Sequence, residues 1–279
     1  MSRAVFVAAM LIGCLSLSVV FAAEPTRYLR FQKGETIAYG RLEGDLVRQL
    51  DGDLFGEWSR TDITHSLKDI QILIPCQPTQ VFALAGNYRS HLSDGPIPEK
   101  FRIPQPFTKN VSCLVAHGEA IVIPPDASVV HYEAEMAIVI GKKCSKVSAE
   151  DALDYVLGVT AGNDVSERVW QNDKEVKDVQ WWRAKGADTF GPVGPYILSG
   201  VDYSQLRLRL VLNGETRQDE KTDHLIHNVP DTVSFMSQYV TLQPGDLIFT
   251  GTPGTTKIIV PGDTVEVHLD DMVLSNPVK

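Results

Sequence analysis

The chain has 279 residues, of which 43% are hydrophobic and 22% charged, and its formal net charge is −9. That length suffices for one large domain with a smaller appendage, and the acidic balance excludes the basic footprint that nucleic acid or an anionic lipid surface requires. The four cysteines follow no CxxC spacing. Neither a zinc site nor a disulfide framework is therefore expected, and Cys76, Cys113 and Cys144 read as buried free thiols.

In chain order, Met1, Ser2 and Arg3 precede an apolar run over 4–23, and the polar Glu24, Pro25, Thr26 and Arg27 follow. A basic start, a hydrophobic middle and a small-residue exit predict a secretory signal peptide over 1–22, cut after Ala22, and export to a periplasm. Two rival readings stay open. Leu11-Ile12-Gly13-Cys14 has the form of a lipoprotein box, and the run approaches the ~20 residues that span a bilayer as an uncleaved anchor. No other stretch is apolar enough to cross a membrane.

Residues 23–78 predict a small N-terminal β module, with apolar pieces at 28–31, 35–42 and 69–75. A second unit over 79–279 opens with the apolar run from Val81. Ser148 and Asp151 predict a capped short helix ending near Tyr155. The alternating segment from Leu206 turns at Asn213-Gly214, the strongest short hairpin signal. Pro230 opens a second short helix. Pro-Gly-Asp occurs at 244–246 and at 261–263, each time ahead of a β-rich stretch. Strands outnumber brief helices, so the expected class is α+β, mostly β, as a roll or sandwich rather than a doubly wound sheet.

The chemistry centres on Glu133 and Glu135. On a strand they share one face, while Tyr132, Ala134, Met136, Ile138 and Ile140 share the other, which predicts a carboxylate pair facing away from a core. A lone Glu-x-Glu is most often a solvated strand face. Asp164 changes that balance, because three carboxylates without His or Cys nearby suit a hard divalent ion such as Mg2+, Mn2+ or Ca2+. If 164–171 is helical, Asp164, Arg168 and Gln171 fall on one stripe at i, i+4 and i+7. Lys185, in a Gly- and Pro-rich segment expected to form turns, is a candidate for binding an anionic substrate or stabilising an enolate oxygen, although most single lysines lie on the surface. His91 and Asp94 would meet on one helical turn, where the carboxylate orients the imidazole as a base toward water. Gly95 and Pro96 follow, in a segment able to order over a pocket.

Six segments, GNYRSH from Gly86, FTKN from Phe107, YEAEMAIVIG from Tyr132, GNDVSERVWQ from Gly162, KGADTFGPVGPYI from Lys185 and LQPGDLIFTGTPG from Leu242, occur in the order and at about the intervals of the fumarylacetoacetate hydrolase family. The chain resembles that family from about residue 80 onward. The resemblance implies a β-roll core, a homodimer, and Mg2+ or another divalent ion at Glu133, Glu135 and Asp164. It places Gln171 and Lys185 at substrate-contacting positions, Arg168 where many relatives carry arginine, Thr252 in a pocket-closing TGTP turn, and His91 as the lid histidine. Asp94 stands where hydrolytic members commonly have glutamate, and a leader is unusual in the family. The implied function is a metal-dependent hydrolase that cleaves a C–C bond in an acylpyruvate-like 2-oxo acid. Decarboxylation of an oxaloacetate-like substrate and isomerisation or hydration of unsaturated 2-oxo acids are the alternatives, and a non-catalytic exported binding protein is a further reading. The partner is a small 2-oxo acid, with no nucleic acid and no membrane beyond the leader.

Overall fold

A computed structural model of the chain describes residues 25–92 and 95–279. The leader predicted over 1–22 and the candidate residue Asp94 lie outside the described residues. Alternating N-terminal runs form β1 (Thr26–Lys33), β2 (Thr36–Glu43), β3 (Leu46–Gly52) and β4 (Trp58–Ser66), followed by β5 (Gln71–Ile72). The first two hairpins turn at Gly34 and Gly44, whose φ values of 58° and 63° suit glycine because it has no Cβ to strain.

Next come β6 (Val81–Leu84), β7 (Pro106–Lys109), β8 (Leu114–Val115), β9 (Val130–His131), β10 (Ala134–Ile140), β11 (Val156–Asn163), β12 (Ser166–Glu167), α1 (Arg168–Asn172), α2 (Trp182–Gly186) and β13 (Gly191–Ser199). The chain finishes with β14 (Arg207–Leu212), β15 (Glu215–Lys221), α3 (Val229–Ser237), β16 (Leu247–Phe249), β17 (Thr264–Leu269) and β18 (Met272–Pro277). The N-terminal meander does not close on itself. β1 pairs antiparallel with β13, Tyr28 opposite Ile197, so that one mixed sheet runs β4-β3-β2-β1-β13-β11-β10-β16-β6-β7. A second sheet, β15-β14-β17-β18, contributes Leu208, Leu210, Val267 and Leu274 to the core on one face of the first. The mostly β class expected from the sequence is what the chain adopts.

β10 is buried along its whole length. Met136, Ile138 and Ile140 enter the core shared with the second sheet, while Ala137 and Val139 enter another with Val81, Leu247 and Phe249. This corrects the expectation that the face carrying Glu135 looks away from a core. That face belongs to a second core, which gives way to a cavity at the start of the strand. Period-2 alternation says which residues share a face; it does not say what covers that face.

The Asn213-Gly214 turn has φ values of 51° and 82°, as a tight primed hairpin requires. Ser148 and Asp151 exchange hydrogen bonds, but the element that follows is a 3-10 helix, Ala152–Tyr155, with no side-chain cap bond. α3 is capped by Asn228 Oδ1, which accepts from Asp231 N, and Pro230 lies in its first turn. Cys76, Cys113 and Cys144 are buried and unpaired. Among the described residues no helix is long and apolar enough to cross a membrane.

Candidate metal and substrate site

Three acids meet where β11 ends and β10 begins. The antiparallel register sets Ala134 opposite Asn163, so strand pairing alone brings residue 164 beside residue 133. Asp164 N donates to Glu133 O at 2.9 Å, and Glu133 N donates to Asn163 Oδ1 at 2.9 Å. Ligand oxygens of Glu133, Glu135 and Asp164 lie within 4.8 Å of one another, and all three residues are buried.

Cations surround two of the three. Lys185 Nζ donates to Glu133 Oε2 and to Asp164 Oδ2, each at 2.6 Å. Arg168 Nη2 donates to Glu133 Oε1, and Lys109 Nζ donates to Asp164 Oδ1 at 2.6 Å. Burial opposes ionisation of Glu133, but Lys185 and Arg168 outweigh it and hold this carboxyl below the usual carboxylate range. Glu135 is different, because among the described residues no cation pairs with it. Burial, then Asp164 and Glu133, push its carboxyl well above the usual range, against the opposing pull of Lys185 and of Gly251 N, which donates to Oε2 at 2.6 Å. A buried carboxylate beside two others, with no cation of its own, is where a divalent ion relieves most repulsion. The donor set is all oxygen and fits Mg2+, Mn2+ or Ca2+.

A cavity of about 240 Å3 opens on this floor and is lined by Glu133, Glu135, Arg168, Gln171, Lys185 and Thr252, with His91 also in its wall. Asp164 lies beneath them, 1% exposed. Arg168 and Gln171 sit on α1, where Arg168 Nη1 donates to Gln171 Oε1 at 2.7 Å. The expected stripe with Asp164 does not form. β12 pairs with β9, and the buried Glu167 carboxylate accepts from Trp170 N at 2.6 Å and Val129 N at 2.8 Å, so the helix starts only at Arg168. Lys185 is on α2 rather than in a turn. Trp181 precedes α2 with φ 56°, a conformation rare for a bulky residue, and its ring meets Phe107 edge-on at 5.2 Å. Both rings line the cavity, with Leu84 and Phe101, and give it one apolar wall. Thr252 Oγ1 accepts from Gln218 Nε2 at 2.9 Å.

His91 closes the 3-10 turn Arg89–His91. Its Nδ1 lies 2.6 Å from Gly254 O. A carbonyl oxygen only accepts, so Nδ1 is the donor in this contact and Nε2 is the nitrogen left for other partners. Ser90 Oγ accepts from Gly254 N at 3.0 Å, which ties the same two turns a second time. The 250–254 turn therefore orients the imidazole, the role the sequence suggested for Asp94.

Sequence reasoning singled out the FTKN segment but gave no role to its Phe107 and Lys109, and it missed Trp181 and Gln218. Only the assembled fold shows what Lys109 touches.

A family model described as fumarylacetoacetate (FAA) hydrolase C-terminal matches residues 80–279, and one described as Rv2993c-like, N-terminal matches 26–75. The chain is similar to the crystal structure of 2-hydroxyhepta-2,4-diene-1,7-dioate isomerase from Mycobacterium marinum, with 38% identity and a TM-score of 0.82 over 91% of this chain and 98% of that one. It is also similar to maleylpyruvate hydrolase from Sphingobium sp. SYK-6 in complex with manganese(II) and pyruvate, with 27% identity and a TM-score of 0.72 over 90% and 98%. By sequence, the oxaloacetate tautomerase fahd2, mitochondrial, of Xenopus laevis is 34% identical over 227 residues, 76% of this chain and 70% of its own length. On these matches, and on the motifs that build the site, the chain belongs to the fumarylacetoacetate hydrolase family.

Proposed function

We propose that this chain hydrolyses a C–C bond in an acylpyruvate-like 2-oxo acid with the help of a divalent ion. The observation that carries this reading is the meeting, at one small cavity, of a clustered acidic triad, a buried lysine and a histidine whose Nδ1 is held by the Gly254 carbonyl. Glu133, Glu135 and Asp164 would hold the ion, which supplies Lewis acidity toward the carboxylate and keto oxygens of the substrate.

The chain's own residues do the rest. Lys185, Arg168 and Gln171 bind the carboxylate end and fix its orientation. His91 Nε2 takes a proton from water as the water oxygen attacks the distal carbonyl carbon. The bond from that carbon to C3 then breaks, its electron pair passes into a pyruvate enolate whose charge the nearby Lys185 ammonium stabilises, and C3 is reprotonated. The Trp181 and Phe107 rings offer the acyl end of the substrate an apolar wall.

Tautomerisation or isomerisation is the second reading, supported by the activities named for the Mycobacterium marinum and Xenopus laevis relatives, and it needs the same enolate without water attack. An assay with acetopyruvate and Mn2+, with products identified by NMR, separates the two. We expect acetate and pyruvate from the wild type, a loss of at least about 100-fold in kcat for His91→Ala, and no turnover for Glu135→Ala. Wild-type enol–keto exchange without acetate would contradict hydrolysis and support the second reading. Full activity in Glu135→Ala would remove the site altogether.

A further inference from the structure

Lys109 is a buried cation that the reaction outlined above leaves without a task. It ends β7, and its side chain is 0% exposed. An ammonium is placed in a protein interior only where its protons find acceptors. Here all three do: Nζ donates to Asp164 Oδ1 at 2.6 Å, to Phe190 O at 3.2 Å and to Lys185 O. The side chain is not part of the cavity wall, so it does not meet substrate there.

The acceptors show what this cation joins. Asp164 is one of the three clustered acids, and its two oxygens are divided, Oδ1 to Lys109 and Oδ2 to Lys185. The two carbonyls are that of Lys185 itself, in α2, and that of Phe190 just before β13, so Lys109 ties the backbone of Lys185 to the start of β13. α2 spans five residues, too few to hold its orientation by helical hydrogen bonds alone. Its last residue reinforces the same junction. Asn110 Nδ2 donates to Gly186 O at 2.8 Å, and a Cβ at Gly186 would stand 3.0 Å from Asn110 Nδ2 and 3.2 Å from Asn110 N, so a side chain at 186 would press on the residue that follows β7.

We infer that Lys109 is a positioning residue that sets both halves of the site at once, turning one Asp164 oxygen toward the ion and locking the end of α2 so that Lys185 reaches the same cavity. This rests on the proposed ion site. It predicts that loss of one side chain outside the cavity wall weakens both the ion and the 2-oxo acid.

The test is calorimetry on metal-free protein, titrated first with Mn2+ alone and then with pyruvate at saturating Mn2+, for the wild type, Lys109→Met and Lys109→Gln. Thermal unfolding with and without Mn2+ serves as the control. Outer-shell partners of metal ligands typically change affinity by about 10–100-fold. We expect both variants to weaken Mn2+ at least tenfold and pyruvate at least fivefold, and to lose most of the Mn2+-induced rise in Tm. A merely structural lysine would lower Tm equally with and without Mn2+ and leave that rise intact. Either affinity within threefold of the wild type in a folded variant overturns the inference. Failure of both variants to fold also overturns it, by assigning Lys109 to the fold alone. A wild type that binds no Mn2+ instead removes the ion site itself, which separates that failure from this one.

Discussion

Glu135 is the acid of the triad with which no cation of the described residues pairs, and this has a cost in stability. Its folded pKa is raised by burial and by Asp164 and Glu133. The unfolded chain releases this proton near pH 4.5 and the folded chain holds it to higher pH, so stability falls as pH rises above the unfolded value. Glu133 has the opposite sign: its pKa is depressed, and its contribution is lost as pH falls. Glu135→Gln keeps an acceptor for Gly251 N and removes the ionisable group. We expect the metal-free variant to melt above the metal-free wild type at pH 7.5 by about 3 °C or more, with the difference shrinking toward pH 4.5, while Mn2+ no longer stabilises it. Equal melting temperatures at both pH values would contradict the charge assignment. The identity of the three acids was legible in the sequence. Their burial was not, because Glu135 shares its face with Ala137 and Val139, and nothing in an alternating pattern distinguishes a second core from water.

The site is only as well placed as β10 and β11, and those strands depend on residues too small to show in a hydrophobic pattern. Gly158 lies in β11 against β13, and a Cβ there would stand 2.4 Å from Leu198 O, a backbone atom that cannot swing aside. A Cβ at Gly162 would stand 2.5 Å from the buried Phe249 ring. Gly158→Ala should therefore destabilise the protein by about 1–3 kcal/mol through overpacking, measured by urea unfolding, and should also weaken Mn2+ binding because Asp164 follows directly on this strand. An unchanged unfolding midpoint would show that the sheet relaxes freely at this point. The helices were less legible than the strands. Asp164, Arg168 and Gln171 match helical spacing, yet β12 and the Glu167 cap begin the helix four residues late. α2 was hidden among the glycines and prolines that follow it.

At the scale of the whole molecule, the cavity exists only when distant segments assemble. His91 reaches Gly254 across 163 positions, and Lys109 reaches Asp164 across 55 and Lys185 across 76. No local window holds these contacts. The ordered motifs made most participants readable, whereas Trp181, and the contacts of Phe107 and Lys109 within FTKN, needed the fold. The sheet is continuous from β4 to β7 through the β1–β13 pair, so the meander buttresses the strands that carry the acids. The central claim is that this assembly makes one oxygen-lined ion site. Anomalous diffraction at the manganese edge from a crystal grown with Mn2+ tests it most directly. A peak bonded to oxygens of Glu133, Glu135 and Asp164 is expected in the wild type and its absence in Glu135→Gln; an empty triad, with manganese bound elsewhere or nowhere, would refute the ion site.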